Sequence, residues 1–319
     1  MLKVSVIIPV FNVASYLKNC LDSCLASTLQ EVEFICINDG STDNSLQILQ
    51  EYAKKDKRFI VLSQENSGQG ITRNRALQVA QGEFVAFVDP DDFISPDLLK
   101  SAYDYAQLHR ADVVQFNYIE YRESQKKYKK IDLCKKFKKE YNYNLKTRKK
   151  YDKTVISEGL FYNLYNQVWN RIYRRDFILK NDIHFATTRN GEDHLFTIGV
   201  LIHADEIYYL ADYLYTYRVR MGSMCHSWTD VDMDYTFENI SQLSKYLQAH
   251  NLYDKYSSQL SEYRVRALFW TRSKLRPEVV EKYEAKVKKI LTQDEFNSYT
   301  KLVSPQRSFF RSLLGLKGN

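Results

Sequence analysis

Hydrophobic and polar positions follow two rhythms along the first hundred residues. Short, nearly continuous apolar runs occur at Leu2–Ile8, Val32–Ile37, Phe59–Leu62 and Phe84–Val88. Their length and their β-branched and aromatic content predict strands buried on both faces. Between them the apolar residues recur at helical spacing, as in Tyr16, Leu17, Cys20, Leu21, Cys24 and Leu25. Ser15 is the expected cap of that first helix, and Ser41-Thr42-Asp43 supply caps for a second through Tyr52 and Ala53. A third runs from Ile71 to Ala80 and is ended by Gly82. This βαβαβαβ order predicts an α/β fold with a doubly wound, mostly parallel sheet. Right-handed crossovers then bring the loops at Phe11, Asp39, Asn66 and Asp89 to one edge of the sheet.

The fourth run carries the densest chemistry, because it leads straight into Asp89-Pro90-Asp91-Asp92. Asp89 precedes a proline and is therefore expected in extended backbone at the last strand position. Ser95-Pro96-Asp97 then reads as a helix start, with Ser as cap and Pro at the first helical position. Carboxylates this close repel one another, and a divalent cation relieves the repulsion. The turn Pro9–Ser15 contains no glycine, which excludes the dinucleotide fingerprint, and no Walker loop is present. On the shared edge, Asp39 suits a base imino proton, and the turn from Asn66 to Gly70 with Arg73 suits phosphates. Asp89 suits a ribose and Asp91 a metal bridging a pyrophosphate.

The rest of the chain adds a different pattern. Tyrosine-rich stretches from Tyr208 to Tyr217 read as small strands. Beyond Trp228 helical spacing dominates, at Asp232–Leu247, Leu252–Leu275 and from Pro277 through Leu291. The expected organisation is 1–121 as an α/β half that carries the converging loops, 122–153 as a basic insert, 154–229 as a second half that completes the site and 230–319 as a helical region. That last region braces the catalytic part or forms a homo-oligomer contact.

Composition narrows the class. With 319 residues, 44% of them hydrophobic, and only 10 Gly and 5 Pro, the chain is neither disordered nor fibrous. Five cysteines without a CxxC pair read as packing thiols in a reducing compartment. No apolar run reaches membrane-spanning length, and the start has the wrong flanks for a signal peptide, so a cytoplasmic protein is expected. Net charge is +7, but Arg122–Lys153 alone holds 14 basic against 4 acidic residues. Tyrosines within this insert raise a nucleic-acid reading, and a merely solvated excursion is the bland one. Attraction to an anionic membrane surface is preferred, because 301–319 is also basic and Ser308–Leu314 is amphipathic. Nucleic acid is not expected.

The segments Val4–Asn12 (VSVIIPVFN), Asn38–Ser45 (NDGSTDNS), Asn66–Asn74 (NSGQGITRN) and Asp89–Asp92 (DPDD) stand in a characteristic order. Trp169–Phe177 (WNRIYRRDF), Gly191-Glu192-Asp193 and Tyr215–Ser223 (YTYRVRMGS) continue it. As an ordered set this resembles the inverting family 2 glycosyltransferases, over roughly two thirds of the chain. The resemblance implies a GT-A fold, a UDP-sugar donor, a Mn²⁺ or Mg²⁺ ion and a bacterial surface glycan or glycolipid as acceptor. It implies that Pro9, Phe11 and Asp39 hold the uracil and Asp89 the ribose, with Asn66, Gly70 and Arg73 alongside. Asp91 would ligate the metal, joined by His226 from a later loop, and Asp193 would be the catalytic base. Trp169 and Glu192 are the expected acceptor-side residues. Ile71-Thr72 departs from the small residues usual before Arg73-Asn74. Two other classes stay open: a nucleotidyltransferase, and a non-catalytic adaptor on the same fold.

Overall fold

The computed structural model describes residues 1–136, 167–220 and 232–303. Four parallel strands open the chain: β1 (Val4–Val10), β2 (Val32–Asp39), β3 (Phe59–Gln64) and β4 (Phe84–Phe87). They alternate with α1 (Ala14–Leu25), α2 (Ser45–Lys55) and α3 (Gln69–Val79). Their spatial order is β3-β2-β1-β4, so the winding reverses between β1 and β4. That reversal leaves a crevice at the carboxyl ends of β1 and β4, where open α/β sheets take ligands.

The second half extends the same sheet. A two-residue strand β5 (Phe93–Ile94) and helix α4 (Leu98–His109) lead to β6 (Val113–Arg122), then β7 (Lys127–Ile131), β8 (Arg171–Arg174) and the long β9 (Ile207–Val219). Helices α5 (Arg175–Lys180) and α6 (Asp193–His203) lie between β8 and β9. Strand β8 runs antiparallel to both β4 and β6, while β9 runs parallel to β6. The described sheet has nine strands, parallel in its first half and mixed in its second. Four helices follow: α7 (Asp232–Ala249), α8 (Ser257–Arg272), α9 (Pro277–Ile290) and α10 (Gln293–Val303). No described helix is long and apolar enough to cross a membrane.

The core is continuous across the sheet, because strands β1, β2 and β4 are buried at every position. Below the crevice Phe87 meets Tyr173, Phe185 and Phe196 edge-on at centroid distances of 5.2–5.7 Å, a close aromatic group that stiffens the floor.

Several local expectations are corrected. Ser15 does not cap α1, which begins at Ala14; its first amides are held by Asp43 Oδ2 (2.9 Å, to Ala14) and Ser45 Oγ (3.1 Å, to Val13) from the next loop. Such a cap is distant in sequence and invisible to local pattern. Helix α4 starts at Leu98 instead of Pro96, because Ser95 is drawn into the sheet by donating its amide to Leu214 O (2.8 Å). The tyrosine-rich stretches form one thirteen-residue strand, β9. Part of the basic insert is ordered as the β6–β7 hairpin, paired from Tyr118–Ile131 to Arg122–Lys127. Helix α10 was not expected from the pattern.

Candidate active site

The loops after β1 and β2 lock together at the crevice. Asn12 is left-handed (φ 47°), and its Oδ1 accepts the amide of Thr42 (2.8 Å) while its own amide donates to Ser41 Oγ (3.1 Å). The polar run Ser41-Thr42-Asp43 thus serves the neighbouring loop. Left beside this lock is Phe11, 46% exposed on the crevice rim, a ring face free to stack on a planar ligand. Pro9 is buried next to it in β1, opposite Ile37.

Asp39 ends β2 and is buried. Its carboxylate accepts the amides of Ser67 and Gly68, each at 2.9 Å, and Gln64 Nε2 at 2.8 Å. A carboxylate has about four acceptor positions, so one remains for an imino proton. Asn66 completes the loop by donating Nδ2 to Asp39 O (3.0 Å). Gly68, at φ 91°, gives the left-handed turn that aims both amides at Asp39.

Gly70 answers to packing rather than to a phosphate. A Cβ there would stand 2.2 Å from Ala186 O, so α3 can approach the segment before α6 only with glycine. Asn74 binds that same segment twice, accepting the Phe185 amide (2.8 Å) and donating to Phe185 O (2.9 Å).

Arg73 is the hub. It is buried, and its guanidinium donates to Asp89 Oδ1 (2.8 Å), Glu192 Oε1 (2.8 Å) and Gln69 Oε1 (3.1 Å). Burial works against its charge, yet Asp89, Glu192 and Asp193 together hold its pKa above the ordinary value. It does not face solvent as a phosphate clamp would. Glu192, expected on the acceptor side, is likewise committed to Arg73, and burial raises its pKa.

Asp89-Pro90-Asp91-Asp92 forms a tight turn closed by the Asp92 amide on Asp89 O (3.0 Å). The three acids diverge. Asp89 faces Arg73, and burial raises its pKa against that pull. Asp92 points inward, accepting Tyr215 OH (2.7 Å) and the Arg218 amide (2.7 Å); burial and then Asp89 and Asp91 push its pKa well up. Asp91 turns away from Arg73 to pair with Arg220 (2.8 Å). Asp89 and Asp91 present hard oxygen donors near each other, suited to Mg²⁺ or Mn²⁺. Among the described residues no third His, Cys, Asp or Glu joins them. A cation held by one or two carboxylates and completed by diphosphate and water fits this set. His226 lies outside the described residues.

Asp193 is the first residue of α6, half-buried beside the Arg73 cluster. Burial pushes its carboxyl up to about 6, partly offset by Arg73 and its own amide. The next residue, His194, is held down to about 4 by burial and contacts Tyr263 OH through Nδ1 (2.8 Å), so it stays neutral and is engaged elsewhere. Trp169 is buried, 6% exposed, stacked on Tyr215 (4.5 Å) and parallel to Tyr217 (5.4 Å), a packed position in the core.

Sequence pattern missed two groups. Arg218 and Arg220 stand at the end of β9 against the acidic turn, within the motif Tyr215–Ser223 that received no residue roles. Asn239 and Gln242 of α7 hold the segment before Asp193: Asn239 accepts from Thr188 Oγ1 (2.6 Å) and donates to Asn190 O (2.8 Å), and Gln242 accepts the Thr187 amide (3.1 Å). Only the tertiary structure carries that signal.

A sheet wound in this order, with acids at the ends of β2 and β4 and a carboxylate opening α6, has the plan of a GT-A glycosyltransferase. Residues 5–177 match glycosyl transferase family 2, and the chain belongs to that family. It is 31% identical to the glycosyltransferase GlyA of Streptococcus pneumoniae over 238 residues, 72% of this chain but 32% of that protein. It is also 31% identical to EpsH of Bacillus subtilis over 267 residues, 82% of this chain and 73% of EpsH. The fold matches the crystal structure of S. aureus TarS 1–349 in complex with UDP-GlcNAc at a TM-score of 0.62 and 23% identity, covering 94% of this chain and 91% of that one.

Proposed function

We propose that the chain is a metal-dependent inverting transferase that moves a hexose or N-acetylhexosamine from a UDP-sugar to a hydroxyl of a glycan acceptor. The observation that carries this is Asp193, a carboxyl with pKa about 6 at the rim of the nucleotide crevice, coupled through Arg73 to Asp89. A carboxyl with its pKa raised to about 6 is mostly ionised at neutral pH yet more basic than an ordinary carboxylate, which suits proton removal from an alcohol. Phe11 stacks the uracil, the fourth acceptor position of Asp39 takes its imino proton, and Asp89 meets the ribose. Asp91 would hold a Mn²⁺ or Mg²⁺ ion, which supplies charge neutralisation to the departing diphosphate. Asp193 removes the acceptor proton as the acceptor oxygen bonds to the anomeric carbon from the face opposite the diphosphate. The bond to the β-phosphate oxygen breaks with its electron pair, giving UDP, an inverted glycoside and one proton.

Glycan synthesis at a bacterial surface fits the TarS neighbour, solved with UDP-GlcNAc. An acceptor carried on lipid would place the enzyme at a membrane face. The hairpin lysines Lys126, Lys127, Lys129 and Lys130, all exposed, support attraction to anionic headgroups. The insert beyond Lys136 and the tail from Ser304 lie outside the described residues.

The test is release of UDP from UDP-Gal, UDP-Glc, UDP-GalNAc and UDP-GlcNAc with Mn²⁺, with Mg²⁺ and with EDTA. One donor should be turned over with metal, and Asp91→Ala should abolish the metal response. Release of pyrophosphate in place of UDP would make the protein a nucleotidyltransferase.

A further inference from the structure

The two arginines at the end of β9 share one strand face but are held very differently. The side chain of Arg218 is 8% exposed and over-determined. It donates Nε to Asp91 O (2.8 Å) and Nη1 to Glu123 Oε1 (3.1 Å), and its guanidinium lies over the rings of Tyr16, Phe93 and Tyr121 at 5.2–5.5 Å. Its role is to fix the acidic turn. Arg220 is 20% exposed and, among the described residues, has one carboxylate, Asp91 Oδ2 at 2.8 Å, and one ring, Tyr16 at 4.7 Å. It is the exchangeable member of the pair.

Its position is the informative part. Asp92 and Asp89 already have partners inside the protein, Tyr215 with the Arg218 amide and Arg73 respectively. Asp91 is the acid of the turn whose side-chain partner is itself partly exposed: Arg220 is 20% exposed, against 3% for the Arg73 that meets Asp89. We propose that Arg220 is a stand-in counter-ion for Asp91, one that a divalent cation displaces only when the cation arrives with the donor diphosphate. This rests on Asp91 as the metal ligand, as argued above.

The charges balance at each stage. Without donor, Asp91 and Arg220 neutralise each other. With donor, the two negative charges of the diphosphate diester would balance a divalent cation, leaving Asp91 free to hold that cation and Arg220 free to turn to the diphosphate. When the glycosidic bond breaks, the diphosphate gains a further negative charge, and the freed guanidinium lies beside it. Arg220 therefore binds the departing group more strongly than the intact donor, which is the condition for lowering a barrier. Its planar fork suits two phosphate oxygens at once. A cation alone must break the ion pair and leave Arg220 without a partner, so bare metal binds weakly. Metal and nucleotide are thereby made mutually dependent, and by linkage the dependence is equal in both directions.

The experiment is Mn²⁺ titration followed by the EPR signal of free Mn²⁺, with and without saturating UDP, on the full chain and on Arg220→Met and Arg220→Lys. Far-ultraviolet circular dichroism melts show that the variants fold. In the wild type, UDP should tighten Mn²⁺ binding strongly. In Arg220→Met, Mn²⁺ binding without UDP should tighten about tenfold while the gain from UDP shrinks by about tenfold or more, within the usual range of coupling between sites. Arg220→Lys keeps the charge and should lie between. Equal Mn²⁺ affinity and equal UDP coupling in wild type and Arg220→Met would overturn the exchange while leaving the metal assignment standing. A wild-type chain that takes up no Mn²⁺ even with UDP would overturn the metal assignment, and this inference with it.

Discussion

Replacing Asp193 by asparagine removes a carboxylate that folding holds against its own tendency to ionise. Burial raises its pKa from an ordinary 3.8 to about 6. The folded state then binds more protons than the unfolded state between these values, so this residue lowers stability as pH rises through that window. Well below pH 4 the group is protonated in both states and contributes nothing. Well above pH 6 the penalty is complete. Roughly two pH units at about 1.4 kcal/mol each set an upper bound near 3 kcal/mol, and water at the exposed edge of the carboxylate screens this to about 2 kcal/mol. Asparagine mimics the protonated form, so Asp193→Asn should lie within about 0.5 kcal/mol of wild type at pH 4 and exceed it by about 2 kcal/mol at pH 8. Urea denaturation at both pH values measures this. Asp89 and Glu192 also have raised pKa values, and the Asp193 charge contributes to that of Glu192, so the difference between the two proteins reports Asp193 together with its effect on these neighbours. In the same variant transfer should fall by 10²-fold or more, with UDP binding kept, as removal of a general base does. The wild-type kcat/KM should rise with pH and reach half its plateau near pH 6. A variant whose advantage over wild type is no larger at pH 8 than at pH 4, or one with near-normal turnover, would refute the reasoning.

Arg73→Met leaves Glu192 buried and Asp89 half-buried without a counter-charge and should cost about 3 kcal/mol in denaturant unfolding, less at pH 5 as the two carboxyls take up protons. Gly70→Ala forces a Cβ to within 2.2 Å of Ala186 O and must move the segment before Asp193. Its kcat should drop about 100-fold, the scale of a 1 Å misplacement, with UDP affinity changed only a few-fold; a lost UDP affinity with normal kcat would return Gly70 to the phosphates. Flotation with anionic liposomes should carry the protein upward and neutral liposomes should not, and equal behaviour with both would remove the membrane reading.

What was legible in the sequence follows from local periodicity. Strands β1 to β4 and their helices have continuous apolar runs or helical spacing, and each pattern has one structural solution. Topology rules then place the ends of those strands on one edge, so Phe11, Asp39, Asn66 and Asp89 were legible as neighbours before any coordinates. The caps of α1 were not, because Asp43 and Ser45 reach across from another loop.

The sequence by itself determined the α/β winding, the acidic turn and the ordered motifs that mark the family. Tertiary structure alone decided how equivalent-looking charges divide their work. Asp89, Asp91 and Asp92 are adjacent and chemically alike, yet one faces Arg73, one faces Arg220 and one is buried on Tyr215. Arg73 and Glu192, 119 positions apart, become a buried pair only when α3 packs on the segment before α6. Charge and hydrogen-bonding capacity are written in the residue type, whereas burial and the identity of the partner are properties of the folded chain, and these set a side chain's chemistry.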